Sequence, residues 1–180
     1  MSAPIPPNEA ERLAELDSFR ILDTPAEQVF DDITFLASQI YETPIALMSL
    51  VDRDRQWFKS SVGLDVPETH RDLAFCARAI WDPTEVMVVE DAAYDPRFSN
   101  SPLVVDDPAI RFYAGAPLQT SNGNALGTLC VIDRVPRRLT DGQELALQAL
   151  ARLVTNELEM RRAVLDLNDR LDAVPGREAA

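Results

Sequence analysis

The sequence predicts an α+β domain, with strands paired through local turns and helices standing mainly near the two ends of the chain. Three observations carry this. The stretch IRFYAGAPLQTSNGNALGTLCVID, residues 110–133, is two apolar runs around Asn122-Gly123, the strongest short-range hairpin signal. PIALMSLVD and RQWFKSSVGL form a second strand pair across a tight DRDR turn. Amphipathic segments with helix-start signals stand near both ends of the chain.

Residues 1–7, MSAPIPP, are Pro-rich and expected to be loose. NEAERLAELDSFRIL carries Leu13, Leu16 and Phe19 at helical spacing. DTPAEQVFDDITFLASQIY opens with Thr24 as cap, Pro25 in the first turn and Glu27 completing a capping box. Its apolar stripe is Phe30, Ile33, Leu36, Ala37 and Ile40. PIALMSLVD is a nearly continuous apolar run and predicts a central strand covered on both faces.

RQWFKSSVGL is the second strand, RDLAFCARAIW a helix capped by Asp72, and EVMVVEDA a third strand. Residues 92–109 are rich in Pro, Asp, Asn and Ser, an irregular segment of the length that usually serves as a lid. The hairpin follows. A long terminal helix then starts at a second capping box, Thr140 to Gln143. No internal repeat or domain linker interrupts this order.

A type I′ turn centred on Asn122-Gly123 sets residue 118 opposite 127, 117 opposite 128, 115 opposite 130 and 113 opposite 132. One face of the hairpin then holds Phe112, Ala114, Ala116, Leu118, Gly127, Leu129 and Val131, all apolar. The other holds Arg111, Tyr113, Gly115, Pro117, Leu126, Thr128, Cys130 and Ile132, a mixed set. The dry face is expected against the terminal helices. The mixed face is expected to wall a pocket, with Gly115 leaving space opposite Cys130, or else to mark plain packing with a bulge.

Thirty acidic residues against 17 basic give a net charge of −13. That argues against nucleic acid and against an anionic membrane surface as partners. Two cysteines in 180 residues do not make a disulfide scaffold. No apolar run spans a membrane and the N-terminus lacks signal-peptide character, so a cytoplasmic location is expected.

Several segments are similar to those of GAF domains, above all the bacterial modules placed upstream of histidine kinases and diguanylate cyclases. They are NEAERLAELDSFRILDTPAEQVFDDIT, IALMSLVDRDRQWFKSSVGLD, FCARAI, DAAYDPRFSNSPLV, IRFYAGAPL and ALGTLCVID. The resemblance covers residues 8–162, with 163–180 left as an extension of the terminal helix. It implies a six-stranded antiparallel sheet. The N- and C-terminal helices lie on one side, commonly a dimer interface. A pocket under a helix and an irregular loop lies on the other.

The ligand is tested residue by residue. The Asn-Lys-Phe-Asp-Glu motif of cyclic-nucleotide-binding relatives is absent, since Lys59 is the sole lysine and lies in a strand. Bilin-binding relatives attach the pigment through a cysteine followed by His, whereas Cys76 is followed by Ala77. Free methionine-(R)-sulfoxide reductases carry cysteines in the irregular loop, and residues 92–109 contain none. No catalysis is therefore expected, and the cofactor is left unknown.

The candidate ligand-binding residues are Trp57, Lys59, Phe75, Cys76, Asp91, Arg97, Phe98, Arg111, Tyr113, Gly115, Thr128 and Cys130. Arg97 and Arg111 are candidate anion clamps. Arg97 could equally pair with Asp95 or Asp91 and pin its loop. Cys76 reads as a small buried hydrophobe or as a thiol approaching Cys130. His70, without ligand-type neighbours, reads as surface loop and not as a metal ligand.

The terminal helix carries two stripes. Leu147, Ala151, Val154, Leu158 and Leu165 suit the domain core. Leu150, Leu153, Met160, Val164, Leu167, Leu171 and Val174 recur at alternating spacings of three and four around Glu157, a heptad seam that predicts a homodimer. The expected function is a ligand-binding sensory module, homodimeric through its terminal helices, with a kinase or cyclase output domain in trans as a possible partner. The alternatives are a thiol-dependent reductase of free methionine sulfoxide and a ligandless dimerisation module.

Overall fold

The computed structural model describes residues 3–173. Six strands form one antiparallel sheet in the order β3-β2-β1-β6-β5-β4. They are β1 (Ile45–Val51), β2 (Arg55–Val62), β3 (Glu68–His70), β4 (Met87–Val89), β5 (Phe112–Gln119) and β6 (Ala125–Asp133). The helices are α1 (Glu9–Ser18), α2 (Gln28–Tyr41), α3 (Phe75–Ala79), α4 (Pro102–Val105) and α5 (Asp141–Asp172). The architecture is the α+β fold that the resemblance implied.

Strand alternation sends each neighbour to an opposite face, and two cores result. Ala46, Met48 and Leu50 of β1 pack with Phe112, Ala114 and Ala116 of β5 against α1, α2 and α5. Ile45 and Leu47 pack with Phe58, Tyr113, Cys130 and Ile132 against α3 and the segment leading to α4. β1, buried along its whole length, separates the two cores, as its continuous apolar run predicts.

Local signals mostly hold where the tertiary contacts agree with them. The box at the start of α5 forms in both directions, Thr140 Oγ1 accepting from the Gln143 amide and Gln143 Oε1 accepting from the Thr140 amide. The box expected at Thr24 does not form. Instead α2 begins at Gln28. Thr24 Oγ1 donates back to the Ile21 carbonyl, and Lys59 Nζ reaches Thr24 Oγ1 at 2.9 Å, the Pro25 carbonyl at 2.6 Å and Glu27 Oε1 at 2.7 Å. A buried ammonium needs three acceptors, and it takes the groups that would otherwise cap the helix.

The apolar stripe of α2 is narrower than expected, for Leu36 and Ile40 are exposed while Phe30, Ile33, Ala37 and Tyr41 are buried. The helix around FCARAI is short. Arg71–Leu73 form a separate single turn, and Asp72, expected to cap the helix, accepts instead from the Ala3 amide at 3.2 Å. Of residues 1–7, Ala3 and Pro6 are buried against the domain.

The hairpin register holds at Tyr113↔Ile132, Gly115↔Cys130 and Pro117↔Thr128, then shifts before Gln119↔Ala125. Gly123 has positive φ and Asn122 does not, so the turn is not type I′. The tip is held from outside the strands. Thr120, Asn122 and Asn124 side chains all donate to the Glu15 carboxylate of α1, at 3.1, 2.8 and 2.5 Å. The shift places Leu126 in the helix-side core, not on the mixed face.

Candidate functional site

Between the sheet and the α3–α4 side lies a cavity of about 260 Å³. Ile45 and Leu47 of β1, Phe58 of β2, Tyr113 of β5 and Ile132 of β6 supply its floor. Phe75 and Cys76 of α3 form one wall, and Leu103, Pro108 and Ile110 the roof. The lining is almost entirely apolar. Its polar groups are Gln56, Glu68, Thr69 and Asp107, and among the described residues no Arg, Lys or His lines it.

Gln56 and Thr69 face each other across the β2–β3 pairing. Gln56 Oε1 and Thr69 Oγ1 are both buried without a hydrogen-bond partner among the described residues. Buried polar atoms without partners are uncommon in folded proteins, and of the five among the described residues two share one end of one cavity.

Cys76 of that wall belongs to a second, buried polar group. Cys76 Sγ lies 3.9 Å from Cys130 Sγ. The Tyr113 hydroxyl donates to Cys76 Sγ at 3.3 Å, and Ser49 Oγ lies 3.2 Å from Thr128 Oγ1. Burial raises the Cys76 thiol, but contacts with Cys130, Ser49, Thr128 and Tyr113 outweigh it and hold Cys76 below the usual thiol range. The contact with Cys76, together with burial, pushes Cys130 well above that range. Burial, then the adjacent sulfurs, push Tyr113 up as well.

Gly115 is what lets Tyr113 adopt this pose. A Cβ on Gly115 would overlap the hydroxyl and ring of Tyr113, two residues away on the same face of β5. The space expected opposite Cys130 is therefore filled by Tyr113, and Gly115 does not open onto the ligand cavity. Phe75 stacks on Phe98 with centroids 4.0 Å apart and on Tyr113 at 5.1 Å, an aromatic stack that fixes α3.

Of the sequence-predicted residues, Phe75, Cys76 and Tyr113 line the cavity. Phe98, Gly115, Thr128 and Cys130 stand directly behind them. The structure sends the others elsewhere. Trp57 lies in the helix-side core, and Lys59 points the same way, to the start of α2. Strand parity correctly put the two on one face, but it does not say which face meets the pocket. Gln56 and Phe58, of the opposite parity, are the residues that do.

Neither arginine is free to clamp an anion in the cavity. Arg97 is bidentate on Asp95, as the loop-pinning reading has it, and its hydrogen bond holds Asp95 below the usual carboxylate range. Arg111 donates through one nitrogen to the carbonyls of Val104, Ala109 and Ile110, which ties the roof to β5. Asp91 caps its own turn by accepting from the Ala93 amide. Sequence reading missed Ser49, the polar residue inside a strand read as a nearly continuous apolar run, and β3, three residues long with no periodic signal.

Comparison with known proteins bears on the family and the fold. The chain is 45% identical over 161 residues to a cyclic di-GMP phosphodiesterase of Pseudomonas aeruginosa. That stretch is 89% of this chain and 27% of the relative, so the chain spans about a quarter of the relative's length. The GAF domain of an Acinetobacter phosphoenolpyruvate-protein phosphotransferase superposes with a TM-score of 0.64 at 16% identity, over 88% of this chain and 96% of that one. A free methionine-R-sulfoxide reductase from Neisseria meningitidis, in complex with its substrate, superposes with a TM-score of 0.62 at 18% identity, over 86% and 90%. These two likenesses concern the fold. The family model of the GAF domain matches residues 25–158, and with the six-stranded sheet and its two-sided helical cover this chain belongs to the GAF domain family.

Proposed function

We propose that this chain is a sensory module of bacterial signal transduction which binds a small, largely apolar, non-anionic molecule between its sheet and the 92–109 segment. One observation carries the ligand class. The cavity is apolar except for Gln56, Thr69, Glu68 and Asp107, and no cationic side chain among the described residues lines it. An anion there would lose its hydration without a counter-charge. A neutral or cationic molecule with a hydrogen-bond donor at one end would satisfy Gln56 Oε1 and Thr69 Oγ1.

The module works in the cytoplasm as a homodimer joined along α5, and itself performs no catalysis. Leu153, Met160, Val164, Leu167 and Leu171 are each more than half exposed, while Leu147, Ala151, Val154 and Leu158 on the other stripe are buried in the domain. Leu150 is half-buried at the junction. Val174, the last position of the seam, lies outside the described residues. A helix apolar on a second side beyond its own sheet suits pairing with a copy of itself. Binding under the lid would shift that pairing and be read by an output domain, a kinase or cyclase acting in trans. The signalling role of the Pseudomonas aeruginosa relative fits this reading.

The test is native mass spectrometry and thermal shift against matched sets of neutral, cationic and anionic small molecules. Leu103→Trp, which fills the roof of the cavity, is expected to abolish binding while the protein stays folded. Equal binding of anions, or binding indifferent to Leu103→Trp, would overturn the ligand class.

A second reading, thiol-dependent reduction of free methionine sulfoxide, is favoured by the approach of Cys76 to Cys130. It is disfavoured by the lining, which offers the substrate's carboxylate no cation. Turnover of methionine sulfoxide that disappears in Cys76→Ser and Cys130→Ser would decide for it.

A further inference from the structure

We infer that Cys76 and Cys130 form a thiol–disulfide site, oxidised by a small neutral hydroperoxide that enters through the apolar cavity. The inference does not depend on which ligand the cavity binds. The two sulfurs come from residues 54 positions apart in sequence and meet at 3.9 Å, near van der Waals contact, with both side chains buried. A disulfide needs them at about 2.0 Å, a further approach of roughly 2 Å.

Their surroundings are unequal, and the inequality assigns the roles. Cys76 lines the cavity and Cys130 does not. The Tyr113 hydroxyl donates a hydrogen bond to Cys76 Sγ at 3.3 Å. Cys76 is thus the sulfur that meets the oxidant, with a hydroxyl donor aimed at it to steady the charge of its thiolate as it reacts, and Cys130, away from the cavity, is the resolving partner. No cation lines the route among the described residues, so the oxidant it admits is uncharged.

In the first step the Cys76 thiolate attacks one oxygen of the hydroperoxide. The S–O bond forms, the O–O bond breaks, and the leaving oxygen takes the proton Cys76 gave up, departing as alcohol or water. Cys76 becomes a sulfenic acid. In the second step the Cys130 thiol attacks the Cys76 sulfur. The S–S bond forms, the S–O bond breaks, and the Cys130 proton leaves with the hydroxide as water. One hydroperoxide is reduced and two thiols are oxidised. The product ties α3, the wall of the cavity, to the central strand β6.

The experiment exposes the folded 180-residue chain to hydrogen peroxide, then denatures it in excess alkylating agent and weighs it. The expected wild-type product has lost two hydrogens, takes up no alkyl group, runs as a monomer on a non-reducing gel and recovers both thiols with dithiothreitol. Cys130→Ser is expected to stop one step earlier, with a sulfenic acid at Cys76 that dimedone traps. Tyr113→Phe is expected to slow oxidation several-fold without preventing it. Two alkylated cysteines in peroxide-treated wild type, or a disulfide formed only between chains, would overturn the inference even if the variants fail to fold.

Discussion

The ring of Tyr113 lies over Gly115, so that a Cβ on the glycine would occupy the place of the tyrosine hydroxyl. This contact joins a backbone requirement on β5 to the position of the one hydroxyl that reaches Cys76. Gly115→Ala is expected to destabilise the domain by about 2 kcal/mol through overpacking. In Gly115→Ala/Tyr113→Ala the clash is gone, so the double variant should lose less than the sum of the singles. Chemical denaturation of the four proteins checks it, and strict additivity would refute the contact.

Lys59 is a structural cation, with its side chain sealed against the start of α2 and its charge paired with Glu27. Lys59→Met takes this donor from the Pro25 carbonyl, leaves Glu27 paired with Arg161 alone, and is expected to cost about 2–3 kcal/mol. Because Lys59 stands on the face away from the cavity, ligand binding measured below the melting transition should be unchanged. A selective loss of binding with stability intact would return Lys59 to the site.

Glu9 links α1 to two buried guanidiniums, accepting from Arg12 at 2.8 Å and from Arg71 at 2.6 Å. Burial raises its carboxyl, but the hydrogen bonds and charges of Arg12 and Arg71 prevail and lower it from 4.5 to about 2. A carboxyl depressed in the folded state contributes its full stability above its unfolded value and loses it as pH falls. Wild-type stability should therefore decline from about pH 4.5 towards pH 2. Glu9→Gln should be less stable at pH 7 and lack that part of the decline. Parallel pH profiles would show that Glu9 makes no such contribution.

Val164 and Leu167 are each more than half exposed on α5, and two charges there oppose any apolar seam. Light scattering is expected to give a dimer for the parent chain and a folded monomer for Val164→Asp/Leu167→Asp. An unchanged oligomeric state would remove α5 from the interface.

The limits of sequence reading show at particular residues. The hairpin signal at Asn122-Gly123 led to the right pairing of Gly115 with Cys130, because turn position and side-chain alternation together fix register over the first turns of a ladder. It failed beyond Pro117, where Glu15 of α1, more than a hundred residues away in sequence, dictates the turn. The box at Thr140 formed because its partners are three residues apart and nothing distant competes. The box at Thr24 was lost to Lys59, which periodicity cannot bring to α2.

What the sequence determined by itself is local or periodic: the α+β class, every strand but β3, the two faces of the hairpin and the doubly apolar α5. Each follows from repeats of about two or 3.6 residues and from turn and cap chemistry within a few positions. Tertiary structure alone decided which face of β2 meets the cavity, so that Gln56 and Phe58 line it in place of Trp57 and Lys59, that Arg97 and Arg111 hold the loop, and that Cys76 meets Cys130. Those outcomes rest on burial and on competition for hydrogen-bond partners between segments far apart in the chain, and such competition is settled only once the layers have packed.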